Sequence, residues 1–176
     1  MNQVSLRTLS IHDTKNIIKW RNMTSVKKNL YFQGELTAEQ HIAYYENFIK
    51  TGKCVQFIIV VKNDKFSTDI GTVFIKNIDC SNHNGEYGIF IGEEAARGKG
   101  YAKPATELVL KYGFEVLNLH RIYLTVMSDN VPAIKTYESV GFIREGVLRE
   151  EYMRANGYVD VVMMSMLRRE WNAKER

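Results

Sequence analysis

Six consecutive residues, Arg97-Gly98-Lys99-Gly100-Tyr101-Ala102, have the types and order of an anion-binding turn. An apolar, strand-like run, Tyr87-Gly88-Ile89-Phe90-Ile91-Gly92, precedes them and a helix-like stretch follows. A turn with little side chain that runs into a helix N-terminus gathers free backbone N–H groups at one point. The positive end of the helix dipole lies behind them, so the turn suits a phosphate or pyrophosphate. Two nucleotide patterns fail on the letters. A P-loop requires Ser or Thr after its Lys, where Lys99 is followed by Gly100, and a dinucleotide fingerprint requires a small residue where Lys103 stands.

The letters do fit Arg/Gln-x-x-Gly-x-Gly/Ala, through Arg97, Gly100 and Ala102. This resembles the pyrophosphate motif of the GNAT N-acetyltransferases, which hold acetyl-coenzyme A. A second segment, residues 130–142, resembles the family's Asn-x-x-Ala-x-x-x-Tyr-x-x-x-Gly-Phe through Asn130, Ala133, Tyr137, Gly141 and Phe142. The same letters make a well-bounded helix, with Asn130 as N-cap, Pro132 in the first turn and Gly141 as the stop. Near the C-terminus, residues 148–154 and 158–171 read as two long strands joined at Asn156-Gly157, a strong hairpin signal. The wording of that hairpin, with Leu6-Arg7 and Trp20-Arg21-Asn22 near the start, is similar to the RimJ/RimL branch, and the resemblance covers nearly the whole chain.

The resemblance implies acetyl transfer from acetyl-CoA to a primary amine by direct attack, without a covalent acetyl-enzyme. Such a reaction needs a neutral amine, a group that polarises the thioester carbonyl and a proton for the departing thiolate. By family analogy Tyr137 gives that proton and Glu86 takes the amine's proton. Backbone N–H groups near Ile89 and Ile91 align the pantetheine arm and carbonyl, with Phe90 between them in the cofactor-binding set. Arg97, Gly98, Lys99, Gly100, Tyr101 and Ala102 hold the pyrophosphate, and Asn130 touches the pantetheine arm. Trp20, Arg21, Asn22, Tyr31 and His41 are the candidates for the acceptor wall. The RimJ/RimL likeness suggests the α-amine of a protein N-terminus or a small amine as acceptor. Alternatives are a nucleotide-linked amino sugar, or a domain that binds acetyl-CoA without turnover. At pH 7, neutralising an amine of pKa about 8 costs only about 1.4 kcal/mol, against about 4.6 kcal/mol for a lysine-like amine.

The surrounding elements read as β α α β β β α β α β β, an α+β fold. Residues 4–9 alternate as a strand, 13–21 suit a short helix, and Thr37 to Gln40 form a capping box that opens a helix ended by Gly52. Residues 55–61 and 70–78 form an antiparallel pair joined through Asn63-Asp64-Lys65, and 86–91 and 121–127 continue the sheet. Ala105, Leu108, Val109, Tyr112 and Val116 recur at helical spacing. The implied GNAT sheet is mixed, mainly antiparallel, six- or seven-stranded, flanked by about four helices, and splayed after residues 87–91 to admit the cofactor.

At 176 residues, 45% hydrophobic and 25% charged, the chain suits one domain spanning residues 1–176. It lacks a membrane-span or signal-peptide pattern, so a cytoplasmic location is expected. Cys54 and Cys80 read as reduced thiols, and His12, His41, His83 and His120 are scattered, so no metal is expected. The net charge of +4 sits entirely within residues 1–53, where eight Lys and Arg face four acids. In this family that region covers the acceptor pocket, and a basic cover favours an anionic acceptor over a polycation such as spermidine. The absence of a basic run with interleaved aromatics argues against nucleic acid. The long hairpin offers an edge for a homodimer.

Overall fold

The computed structural model describes residues 3–63 and 66–174. Asp64 and Lys65 of the expected 63–65 turn lie outside the described residues. Seven strands form one sheet: β1 (Gln3–Thr8), β2 (Val55–Lys62), β3 (Ser67–Asp79), β4 (Asn84–Ile91), β5 (Arg121–Met127), β6 (Ile143–Arg154) and β7 (Gly157–Leu167), in the order β1-β2-β3-β4-β5-β7-β6. Every pairing is antiparallel except that of β4 with β5.

Both faces of the sheet are covered, which is why β2 carries the continuous apolar run Phe57–Val61 and not an alternation. Ile59 and Val61 join the larger core, against α4 (Ala102–Lys111), α5 (Val131–Val140) and Trp171 of α6 (Arg168–Lys174). Ile58 and Val60 turn to the opposite face and pack on Ile17 and Trp20 of α1 (Thr14–Asn22). The short α2 (Thr24–Lys27) and then α3 (Ala38–Tyr44) complete that side. The expected capping box opens α3: Gln40 N–H donates to Thr37 Oγ1 at 3.3 Å and Thr37 N–H to Gln40 Oε1 at 3.0 Å.

Two readings of the sequence are corrected here. The buried stripe of α4 is Ala105, Thr106, Val109 and Leu110, continuing to Phe114, whereas Leu108 and Val116 are 39% and 63% exposed. The apolar face is centred between two rows of residues, and a π-turn over Tyr112–Val116 then shifts the helical phase. The last strand stops at Leu167, because Glu170 accepts from the Leu167 N–H and starts α6, so Trp171 packs from a helix against Phe114.

Candidate functional site

The parallel β4–β5 contact spans only Asn84–Glu86 against Arg121–Tyr123. Beyond it the strands separate, while β4 stays paired with β3 out to Ile91. Gly92 N–H points back to Ile70 O of β3. Strand alternation therefore turns the N–H groups of Ile89 and Ile91 into the split and that of Phe90 toward β3. Phe90 lines the cleft between them, its backbone engaged with β3. The split opens into a cleft of about 750 Å³, lined by Ile89 to Ile91 of β4 and by Asn130 and Tyr137 at and within α5, a size that suits a cofactor.

At the mouth of the split lies the glycine turn. Gly98 and Gly100 have φ of 69° and 80°, and a Cβ on either would meet no atom within 4 Å. Backbone conformation, not crowding, demands glycine there. Consecutive N–H groups around left-handed residues form an anion-binding concavity ahead of α4. Tyr101 and Ala102 line the cleft at the start of that helix. Arg97 is bound differently from expectation: its Nε donates to Ile91 O at 3.0 Å and its Nη2 to Gly92 O at 2.9 Å, which braces the turn against β4. Lys99 is exposed and outside the cleft wall, because the turn aims it at solvent, and Lys103, the next lysine into α4, lines the wall in its place.

Tyr137 stands in the middle of α5. Asn130 Oδ1 accepts from Ala133 N–H at 3.4 Å, and Gly141, with φ of 106°, ends the helix. The Tyr137 ring meets Tyr87 edge-on at 5.7 Å, and its hydroxyl has no hydrogen-bond partner among the described residues. Burial pushes its phenol up to about 12. The neighbouring Tyr87 hydroxyl is already engaged with Thr106 at 2.7 Å. Glu86 stands at the last paired position before the split, on a central strand. Lys76 Nζ lies 3.1 Å from one of its carboxylate oxygens, and Asn77 Nδ2 donates to the other at 2.9 Å.

The five residues expected at the acceptor wall separate. Three are corrected to structural roles. Trp20 is 1% exposed and fixed under Gly92, with Nε1 donating to Glu93 at 2.7 Å. Asn22 makes two bonds to the Leu36 backbone, at 2.9 and 2.8 Å. His41 is buried between α3 and α1, its Nδ1 3.0 Å from Thr14 Oγ1. Arg21 and Tyr31 do line the cleft. Arg21 Nη1 is buried without a partner, its guanidinium stacks 6.0 Å from the Phe32 ring, and burial lowers its pKa. The Tyr31 hydroxyl bonds Thr125, while Tyr152 of β6 donates to Tyr31 O at 2.8 Å and Arg154 to Lys28 O at 3.2 Å. The hairpin thus pins residues 28–32 as a wall. Sequence reading missed Lys76 and Phe74. Lys76 was findable only through the β3–β4 register, which places it opposite Glu86.

The donors and cations of the cleft fit a pyrophosphate-bearing thioester: paired N–H groups in the split, a glycine nest at its mouth and Lys103 beside it. Among the described residues no cluster of three His, Cys, Asp or Glu could hold a metal ion, and no helix is long and apolar enough to cross a membrane. A family model described as acetyltransferase (GNAT) domain matches residues 3–143. The chain is 33% identical to the uncharacterized N-acetyltransferase p20 of Bacillus licheniformis, over 96% of this chain and 95% of that one. It is 30% identical to the spermidine N(1)-acetyltransferase of Vibrio cholerae, again over 96% and 95%. A crystal structure of spermidine N-acetyltransferase from Vibrio cholerae in complex with CoA and spermine superposes with a TM-score of 0.88 at 29% identity, covering 97% of this chain and 98% of that one.

Proposed function

The chain belongs to the GNAT acetyltransferases and is an acetyl-CoA-dependent N-acetyltransferase; from that premise we propose that it acetylates the primary amine of a small acceptor by direct attack, with Glu86 as base and Tyr137 as acid. The carrying observation is the placement of the two groups along one split. Glu86 stands where β4 and β5 part, and the unpartnered Tyr137 hydroxyl faces the same cleft from α5. The Ile89 and Ile91 N–H groups, fixed by the β3 register, orient and polarise the thioester carbonyl, where preorganised donors stabilise developing negative charge. The Gly98–Gly100 nest and Lys103 take the pyrophosphate, and Arg97 shapes the turn through the Ile91 and Gly92 carbonyls. Asn130, whose Oδ1 caps α5, keeps its amide NH₂ for the pantetheine arm.

Acetyl-CoA supplies the activated acyl group. Glu86 removes the proton of the attacking nitrogen, and Tyr137, un-ionised at neutral pH, returns a proton to the leaving sulfur. The pinned wall at residues 28–32 supports a small acceptor over the protein N-terminus that a RimJ/RimL-type enzyme would take. The exposed apolar residues of the edge strand β6, Ile143, Val147 and Leu148, support self-association through the hairpin. The test is thiol release from acetyl-CoA with a panel of primary amines, with Tyr137→Phe as control. Turnover on at least one amine, lost in the control, is expected. Turnover that survives the substitution removes Tyr137 from the mechanism.

A further inference from the structure

We infer that the acceptor is a monoamine carrying an anionic group, a phosphate or carboxylate, and that Arg21 and Lys76 make the cleft select it over a polyamine. The inference rests on the acetyl-transfer reading and narrows its substrate class. Among the described residues, the charged ones lining the cleft are Arg21, Lys76, Arg97 and Lys103 against a single acid, Glu86. Arg97 and Lys103 belong to the pyrophosphate end, which leaves two cations and one carboxylate for the acceptor.

That carboxylate keeps lone pairs for the attacking amine, but its charge is already offset by Lys76, so it holds little attraction for a second ammonium. Lys76 occupies one of its oxygens at 3.1 Å and Asn77 the other at 2.9 Å. Further carboxylates spaced along the cleft would suit a polyamine, and the lining offers none among the described residues. Glu151, the other acid whose charge reaches Tyr31, lies exposed on β6 outside the lining. Arg21 carries the complementary signal. A guanidinium with a buried, unpartnered nitrogen is costly unless it meets an acceptor of hydrogen bonds. The buried Nη1 of Arg21 has no partner among the described residues, and burial alone acts on the guanidinium, with no carboxylate paired to it. A planar fork of this kind matches a phosphate or carboxylate. The relatives named for spermidine share the fold, but specificity is a difference of affinities set by the charges in the cleft.

The test compares kcat/KM for 2-aminoethyl phosphate, ethanolamine and spermidine in the wild type, Arg21→Ala, Arg21→Lys and Lys76→Gln. The wild type is expected to prefer the phosphate over ethanolamine by about tenfold or more, with spermidine last; about tenfold is the scale of one partly screened charge contact. Arg21→Ala abolishes that preference while the KM of acetyl-CoA stays within about twofold, Arg21→Lys restores part of it, and Lys76→Gln raises the spermidine value about tenfold. Wild-type preference for spermidine overturns the inference and leaves the acetyl-transfer reading standing. A matching rise in the acetyl-CoA KM of Arg21→Ala also overturns it, by assigning Arg21 to the cofactor. Absence of turnover with every amine overturns the acetyl-transfer reading itself, and the inference with it.

Discussion

Replacing Tyr137 by Phe separates a chemical role from a packing role, because the structure makes the hydroxyl dispensable for stability. The ring stays against Tyr87 and Phe142, and the hydroxyl has no partner to lose among the described residues. The expected change in stability is within about 0.5 kcal/mol, less than about 2 °C in Tm for a chain of this size. The expected change in rate is far larger. Loss of a positioned general acid lowers kcat about 10²–10⁴-fold, or about 2.7–5.4 kcal/mol of barrier. With the phenol pushed up to about 12, Tyr137 remains protonated through the working range, so its ionisation contributes no alkaline limb near neutral pH. The assay is kcat from thiol release between about pH 6 and 10, beside acetyl-CoA titration and a thermal melt. A kcat drop below about threefold, or an alkaline limb at the ordinary phenol value of about 10 that vanishes in the variant, refutes the reasoning.

Other expectations follow from the same geometry. Glu86→Gln lowers the acceptor kcat/KM by about tenfold or more with the acetyl-CoA KM unchanged; equal effects on both substrates would count against its role as base. Gly98→Ala and Gly100→Ala force a side chain into a left-handed conformation at about 1 kcal/mol each, and calorimetric titration should register weaker acetyl-CoA binding with folding intact. Trp20→Phe removes the indole bond to Glu93, lowering stability by about 1–3 kcal/mol; a selective rise in the acceptor KM would restore Trp20 to the acceptor wall. Acidity acts through His41. Thr14 Oγ1 donates to Ile11 O, so it accepts from His41 Nδ1–H, and Nε2 is left buried without a partner. Burial lowers the folded pKa of His41 beneath its ordinary 6.5, with Asp13 opposing more weakly. Since the unfolded chain binds that proton more readily, stability is full above the ordinary value and falls as pH drops through it. The loss of Tm between pH 7.5 and about 5.5 should shrink in His41→Leu; an equal loss in both proteins would dismiss His41 as the sensor.

The glycine turn and the capped helix that carries Tyr137 were legible in the sequence because their geometry is local. A nest needs glycine at two positions near each other in sequence, and a helix that presents Tyr137 needs Asn130 and Gly141 at fixed offsets. The acceptor half was less legible because its geometry is tertiary. Consecutive residues on a helix point about 100° apart, so Trp20, Arg21 and Asn22 cannot share a wall. Trp20 enters the core, Asn22 ties down Leu36, and only Arg21 reaches the cleft. Lys76 and Glu86 are ten residues apart in sequence and meet only because β3 and β4 pair in that register.

The split itself also explains why a binding site belongs at this point of the sheet. Buried backbone donors require partners. β4 gives up β5 as a partner after Glu86, yet continues for five residues to Ile91. Tyr87, Tyr137 and Phe142 fill the core beside the opening, with ring centroids 5.6 to 6.0 Å apart. These rings keep α5 against β4 where β5 has departed, so the Ile89 and Ile91 N–H groups face a fixed gap that β5 does not fill. A ligand able to accept from both completes the sheet in place of the missing strand. The acetyl-pantetheine arm, with amide and thioester carbonyls along an extended chain, supplies acceptors of that kind. In the proposed reaction binding and positioning are therefore one event: the backbone that needs partners is the backbone that would set the thioester between Glu86 and Tyr137.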